Sequence, residues 1–153
     1  MLLDVDRQLF ITADNEVLLY IDGVESEINR LGTAKDWTQT KVAKLPRGSR
    51  VIAVKVTDSG VAAGLLASAT EDYLVTDENW LCSDVEVAGW NQPNFDDSKW
   101  VKATNEGTHG VAPWGTRPQI SKNAKWIWNK DTKADTASNI KRVLFFRIRL
   151  GKT

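Results

Sequence analysis

Short apolar runs, alternating with polar residues and ended by turn formers, recur along this chain at strand rather than helix spacing. Leu9–Thr12 leads into Ala13, Asp14 and Asn15, and Glu16–Ile21 follows and stops at Asp22-Gly23. A β-rich run closed by Asp-Gly predicts a hairpin, because both residues accept the positive φ of a tight turn. Runs at Thr38–Val42 and Ser49–Val56 flank the turn sequence Leu45-Pro46-Arg47-Gly48. In the second run Ile52, Val54 and Val56 alternate with Val51, Ala53 and Lys55. That pattern predicts one apolar face and one mixed face, as in a half-buried antiparallel strand. Residues 61–70, VAAGLLASAT, suit a short helix by composition, but Gly64 and the β-rich neighbours favour a close-packed strand. Asp96, Asp97 and Ser98 lie in a segment that would cap a turn of helix or close an Asx-turn.

The segment 107–118 is punctuated by glycine and proline and predicts a long loop. Two strands close the chain, Lys125–Asn129 and Arg142–Leu150, and the polar stretch between them, 130–139, is expected to be mobile. Trp126 and Trp128, two apart, are expected to share one face across Ile127. No amphipathic pattern sustains a helix of a dozen residues, and neither an internal repeat nor a domain boundary shows. Strands at this density predict a single all-β domain over 1–153, an antiparallel β-sandwich of the jelly-roll type.

Composition narrows the partners. Lys+Arg and Asp+Glu both number 20, so the net charge is zero and a nucleic-acid binder, which draws most of its affinity from phosphate neutralisation, is disfavoured. One Cys and one His rule out an internal disulfide and the usual structural zinc sites. The opening residues carry acids where a signal peptide needs a basic and then an apolar run, and no apolar stretch approaches the roughly 18 residues of a membrane helix. Seven Trp beside two Tyr and four Phe is the compositional outlier. Some must be core, and one or two in loops would serve as stacking platforms for the apolar face of a sugar ring.

Several phrases in order carry a resemblance. They are Phe10-Ile-Thr-Ala-Asp-Asn-Glu-Val-Leu-Leu-Tyr-Ile-Asp-Gly23, Leu45-Pro-Arg-Gly-Ser-Arg-Val-Ile-Ala-Val54, Gly64-Leu65-Leu66, Thr76-Asp-Glu-Asn-Trp80, Gly89-Trp90, Phe95-Asp-Asp-Ser-Lys-Trp100, Pro113-Trp114-Gly115, Ala124-Lys-Trp-Ile-Trp128 and Phe146-Arg147. Together they resemble galactose-binding-domain-like jelly-roll modules, especially those attached to α-L-rhamnosidases and related glycoside hydrolases and found in extracellular tandem-module proteins. The resemblance implies a sugar-binding or adhesion accessory and an extracellular setting. In the rhamnosidase-linked modules a Trp-Ile-Trp and Phe-Arg pair commonly precedes the Ala-Asp-Asn strand, whereas here both close the chain. Either the terminal strands lie side by side to complete one sandwich, the reading that jelly-roll order favours, or the sequence cuts a repetitive parent at a different point.

Candidate ligand residues follow from loops. Asp14, Asn15 and Glu16 sit at a strand-to-strand turn, where they bond their own backbone or offer acceptors to sugar hydroxyls or a hard cation. Calcium takes about six to eight oxygens, so a calcium at Asp14 would need a partner such as Asp97; no other cofactor is expected. Asp36 and Trp37 share a polar loop, with the indole either folded on the core or standing as a stacking ring. His109, Trp114 and Arg117 lie in or beside the glycine-rich loop 106–115, where a neutral imidazole suits a pair of sugar hydroxyls and Trp114 a platform. Catalytic signatures are absent: no Gly-x-Ser-x-Gly elbow and no phosphate-cradling glycine loop occurs. The reading is a non-catalytic carbohydrate-binding module with a glycan or small sugar as partner. The alternatives are a structural or adhesion module that associates with protein or with itself, and an accessory domain of a glycoside hydrolase.

Overall fold

A computed structural model describes residues 6–30, 39–58, 63–111, 114–129 and 142–150. The strands are β1 (Arg7–Asp14), β2 (Glu16–Ile21), β3 (Val24–Glu25), β4 (Lys41–Leu45), β5 (Val51–Asp58), β6 (Gly64–Ala69), β7 (Leu81–Ser83), β8 (Val101–Lys102), β9 (Thr104–Thr108), β10 (Lys125–Trp128) and β11 (Arg142–Arg149). Two antiparallel sheets form, one in the order β4-β1-β6-β10-β9 and the other β3-β2-β5-β11-β7-β8. The helical content among the described residues is two 3-10 turns, Glu27–Arg30 and Thr70–Asp72. The fold is an all-β sandwich.

Period-two alternation builds the centre. Leu9, Ile11 and Ala13 of β1, Val17, Leu19 and Ile21 of β2, and Ile52, Val54 and Val56 of β5 all enter one buried cluster between the sheets. Leu65 of β6 and Leu144 and Phe146 of β11 complete it from both sheets. The Asp22-Gly23 turn is the expected hairpin, with φ of 52° and 82°, and the Asp22 carboxylate accepts the backbone N–H groups of Arg50 and Val51. Residues 64–69 form a strand buried along its whole length, and a Cβ on Gly64 would lie 2.7 Å from Cε3 of Trp126, which is why no side chain fits there. Asp96 closes an Asx-turn with the Ser98 N–H at 3.0 Å, so the 94–100 segment forms no helix.

The structure corrects four expectations. The first and last strands are not neighbours: β1 lies between β4 and β6, while β11 lies between β5 and β7 of the other sheet. The fourth strand begins at Lys41 rather than Thr38. The second face of β5 is more covered than expected, since Val51 and Ala53 are fully buried and only Lys55 and Thr57 stay half-buried. The segment 84–100 folds over that face and packs Trp90, with Phe95 and Trp100 beside it, on Ala53 and Phe145. Trp114, Ile120 and Ala124, from the residues before β10, cover the other sheet in the same way. Finally, Trp126 and Trp128 do not share a face. Trp126 joins this outer cluster and Trp128 the inner one, because the β9–β10 register slips between Trp126 and Ile127 and breaks the alternation. The stretch 130–139 lies outside the described residues.

Candidate functional site

The glycine-rich loop holds its predicted ligand residues together, but turned inward. Trp114 is 5% exposed, its ring stacks on Trp126 at 4.2 Å between centroids, and its Nε1–H donates to the Asp14 carboxylate at 3.0 Å. The expected stacking platform is thus a core side chain, because Gly64 leaves room for two indoles on the outer face of the sheet. His109 accepts the Arg117 N–H on Nε2 at 2.8 Å, so its Nδ1–H donates to the Ser121 carbonyl at 2.9 Å. Both imidazole nitrogens are thereby used in tying the loop to itself. The Arg117 guanidinium folds back onto the Trp114 carbonyl at 3.0 Å. These residues act as scaffold for the segment that roofs the sheet.

Asp14 and Asp97, the expected calcium pair, do not meet. Asp14 ends β1 under Trp114, whereas Asp97 sits over the opposite sheet, where Nε of Arg147 lies at 3.0 Å and Nε of Arg149 at 3.5 Å. Among the described residues no group of three or more His, Cys, Asp or Glu side chains gathers for a metal. Asn15 lines a crevice with Thr12, Gln39 and Lys41 that is too tight for a sugar ring. Asp36 and Trp37 lie outside the described residues.

Burial raises the Asp14 carboxyl above its ordinary value, and the Trp114 hydrogen bond partly opposes this. A raised acid favours the fold below the unfolded value of 3.8, and that contribution is lost as pH rises through the folded value. Asp14→Asn keeps an acceptor for Trp114 and removes the charge. Its stability should therefore gain on the wild type between about pH 3 and pH 7. Asp14→Ala, which strands the Trp114 N–H in the core, should cost about 1–3 kcal/mol at low pH and less as pH rises, because it too removes the buried charge. Urea unfolding of the three proteins across that range checks both.

An open groove lies elsewhere, at the end of the sandwich where β6 and β11 finish. It offers about 270 Å³ and is lined by Asp72, Tyr73, Asp77, Asn79, Ile148, Arg149 and Leu150 among others. Tyr73 is 38% exposed, and the Arg7 guanidinium stacks on its ring at 3.7 Å. The ring is held in place by the turn before it: Glu71 and Asp72 take φ of 55° and 57°, and the Tyr73 N–H donates to the Thr70 carbonyl at 3.0 Å. Asp72 accepts from the Asn123 amide at 2.7 Å, and hydrogen bonds from Asn123 and then Ser121 hold its carboxyl below the ordinary value. Asp77 takes the Asn79 N–H on Oδ1 at 2.9 Å. Sequence reasoning passed over Tyr73 in favour of the Trp residues. The signal available was its place among Glu71, Asp72 and Asp77 in a turn rather than a strand.

Comparison with known proteins supplies the context for this geometry. No protein-family model matches the chain. An α-L-rhamnosidase of Streptomyces avermitilis is 31% identical over 132 residues, which cover 78% of this chain and 13% of that enzyme. The chain thus corresponds to a small part of the curated relative. Among solved structures, the lectin of Pleurotus ostreatus in its apo form superposes with a TM-score of 0.62 at 24% identity, covering 79% of this chain and 36% of the lectin. The lectin from the same fungus in complex with GalNAc gives 0.49 at 22% identity. The chain is a partial homologue of an α-L-rhamnosidase with the β-sandwich fold of a lectin, in agreement with the resemblance to galactose-binding-like modules of glycoside hydrolases.

Proposed function

We propose that this chain is a non-catalytic carbohydrate-binding module of the kind carried by glycoside hydrolases, working outside the cell. The observation that carries this reading is the 132-residue similarity to 13% of an α-L-rhamnosidase, a share that suits one accessory module of a larger enzyme. The sandwich fold held in common with a lectin supports it, as a scaffold on which loops present a sugar site. The chemistry available at the surface agrees. The open groove presents an aromatic ring and carboxylates suited to sugar hydroxyls, whereas His109, the single histidine, is built into the loop it occupies.

The test is a glycan array of galactose-, rhamnose- and glucose-type ligands, followed by calorimetry with and without calcium. At least one class should bind, to the same extent in both conditions, because Asp14 and Asp97 are each engaged within the protein. The isolated chain should not turn over chromogenic rhamnosides. Binding to none of the three classes, or turnover by the isolated chain, would refute the reading.

A further inference from the structure

Resting on that reading, we infer that the ligand is a neutral pyranose held at the end of the sandwich, its apolar face on Tyr73 and its hydroxyls on Asp72, Asp77 and Asn79. Three features of the groove lead there. Tyr73 is the one aromatic among the exposed large apolar side chains of the described residues, and it lines the groove beside Asp72, Asp77 and Asn79; Arg7 covers one face of its ring, so a sugar would take the other. A sugar ring needs this pairing, an apolar face for its C–H groups beside acceptors and donors for its hydroxyls. The six described Trp, by contrast, are buried or half-buried.

The second feature is order in the absence of ligand. Arg7 stacks on Tyr73 at 3.7 Å, Asn123 holds Asp72 at 2.7 Å, and the Asp77 Oδ1 is fixed by the Asn79 N–H at 2.9 Å. Binding then loses little side-chain entropy, which is what allows a weak stacking contact to appear as affinity. Asp77 keeps its second carboxylate oxygen for a hydroxyl, and the exposed Asn79 amide can donate as well as accept.

The third is charge and size. The groove's lining carries Asp72 and Asp77 beside Arg149, whose guanidinium is engaged by Asp97 and by the Pro93 and Phe95 carbonyls, which leaves the two carboxylates to face a ligand. This field repels a uronic or sialic acid and is indifferent to a neutral sugar. A space of about 270 Å³ is at the low end for ligand sites, suiting one ring rather than an extended chain.

The experiment is a titration of the 15N-labelled full chain with methyl galactoside, rhamnose, glucose and galacturonate. Calorimetry on Tyr73→Ala, Tyr73→Phe and Asn79→Ala accompanies it. Amide shifts should concentrate in residues 70–79 and 148–150. Tyr73→Ala should weaken binding about tenfold, as loss of an aromatic contact implies, while Tyr73→Phe retains it. Asn79→Ala changes an exposed side chain that the fold does not need, so it tests the groove even if Tyr73→Ala loosens the turn. It should weaken binding about threefold or more. Shifts elsewhere with unchanged affinity in Tyr73→Ala and Asn79→Ala would overturn this site and leave the module reading standing. Galacturonate binding as well as galactoside would overturn the neutral class. Failure of every sugar to bind would overturn site and module together.

Discussion

Replacing Asp97 by alanine is expected to destabilise the protein by about 3–5 kcal/mol, as removal of one partner from a buried ion pair does. Arg147 is fully buried, its Nε donates to Asp97 at 3.0 Å, and its Nη1 reaches the carbonyls of Trp90 and Gln92. Burial depresses its affinity for the proton, and the Asp97 carboxylate partly restores it. Without Asp97 the guanidinium stays enclosed with two carbonyls and the face of Phe95, 5.2 Å away, but no anion, to answer its charge. Arg147→Met should be the milder change. Asp97 keeps Arg149 at 3.5 Å and retains some exposure, so its charge is not stranded. A double variant, Asp97→Leu with Arg147→Met, should recover part of the Asp97→Ala loss, since a packed apolar pair removes the desolvation of both charges. For a chain of this size the Asp97→Ala loss is a fall in Tm on the order of 10 °C. Calorimetric melts of the four proteins decide it; a double variant less stable than Asp97→Ala would sink the argument.

Trp126→Ala is the second large effect, about 3–5 kcal/mol, the usual range for truncating a buried Trp. The ring has no exposure, stacks on Trp114 and closes over Gly64, so its removal opens a cavity against a backbone that cannot collapse without moving β6. Its Nε1–H finds no acceptor among the described residues. Trp126→Phe therefore removes an unanswered donor along with part of the ring, and should lose distinctly less than alanine. Gly64→Ala attacks the same contact from the strand. Its new Cβ would stand 2.7 Å from the rigid ring, for a cost of about 1–3 kcal/mol. Urea titrations of the three variants test this. Equal losses for Phe and Ala would show that the cavity is not what matters.

Much of this architecture is legible along the chain. The alternation of Ile52, Val54 and Val56 with Val51, Ala53 and Lys55 reports a strand and its inner face. Asp22-Gly23 reports the hairpin, because φ is a local property of those two residues. Gly64 in an apolar run signals close approach, and the approach is to Trp126.

What failed depends on partners distant in sequence. Trp114 reads as a loop platform until Asp14, a hundred residues earlier, accepts its N–H and Trp126 receives its face. The opposite orientations of Trp126 and Trp128 accompany an irregularity in the β9–β10 pairing, whose local signal is Gly107 in the partner strand rather than anything in β10 itself. The outer face of β5 reads as half-solvated because Ala53 and Lys55 do not announce that residues 84–100 will fold over them. The pattern of apolar and polar positions, by itself, determined that this protein is an antiparallel sandwich and which residues fill its centre. Those properties follow from steric and solvation preferences acting within a few residues. Only the tertiary structure decided which aromatic rings meet solvent. Exposure is what remains after every other segment has packed, and among the described residues that leaves Tyr73 at the sandwich end rather than the six indoles.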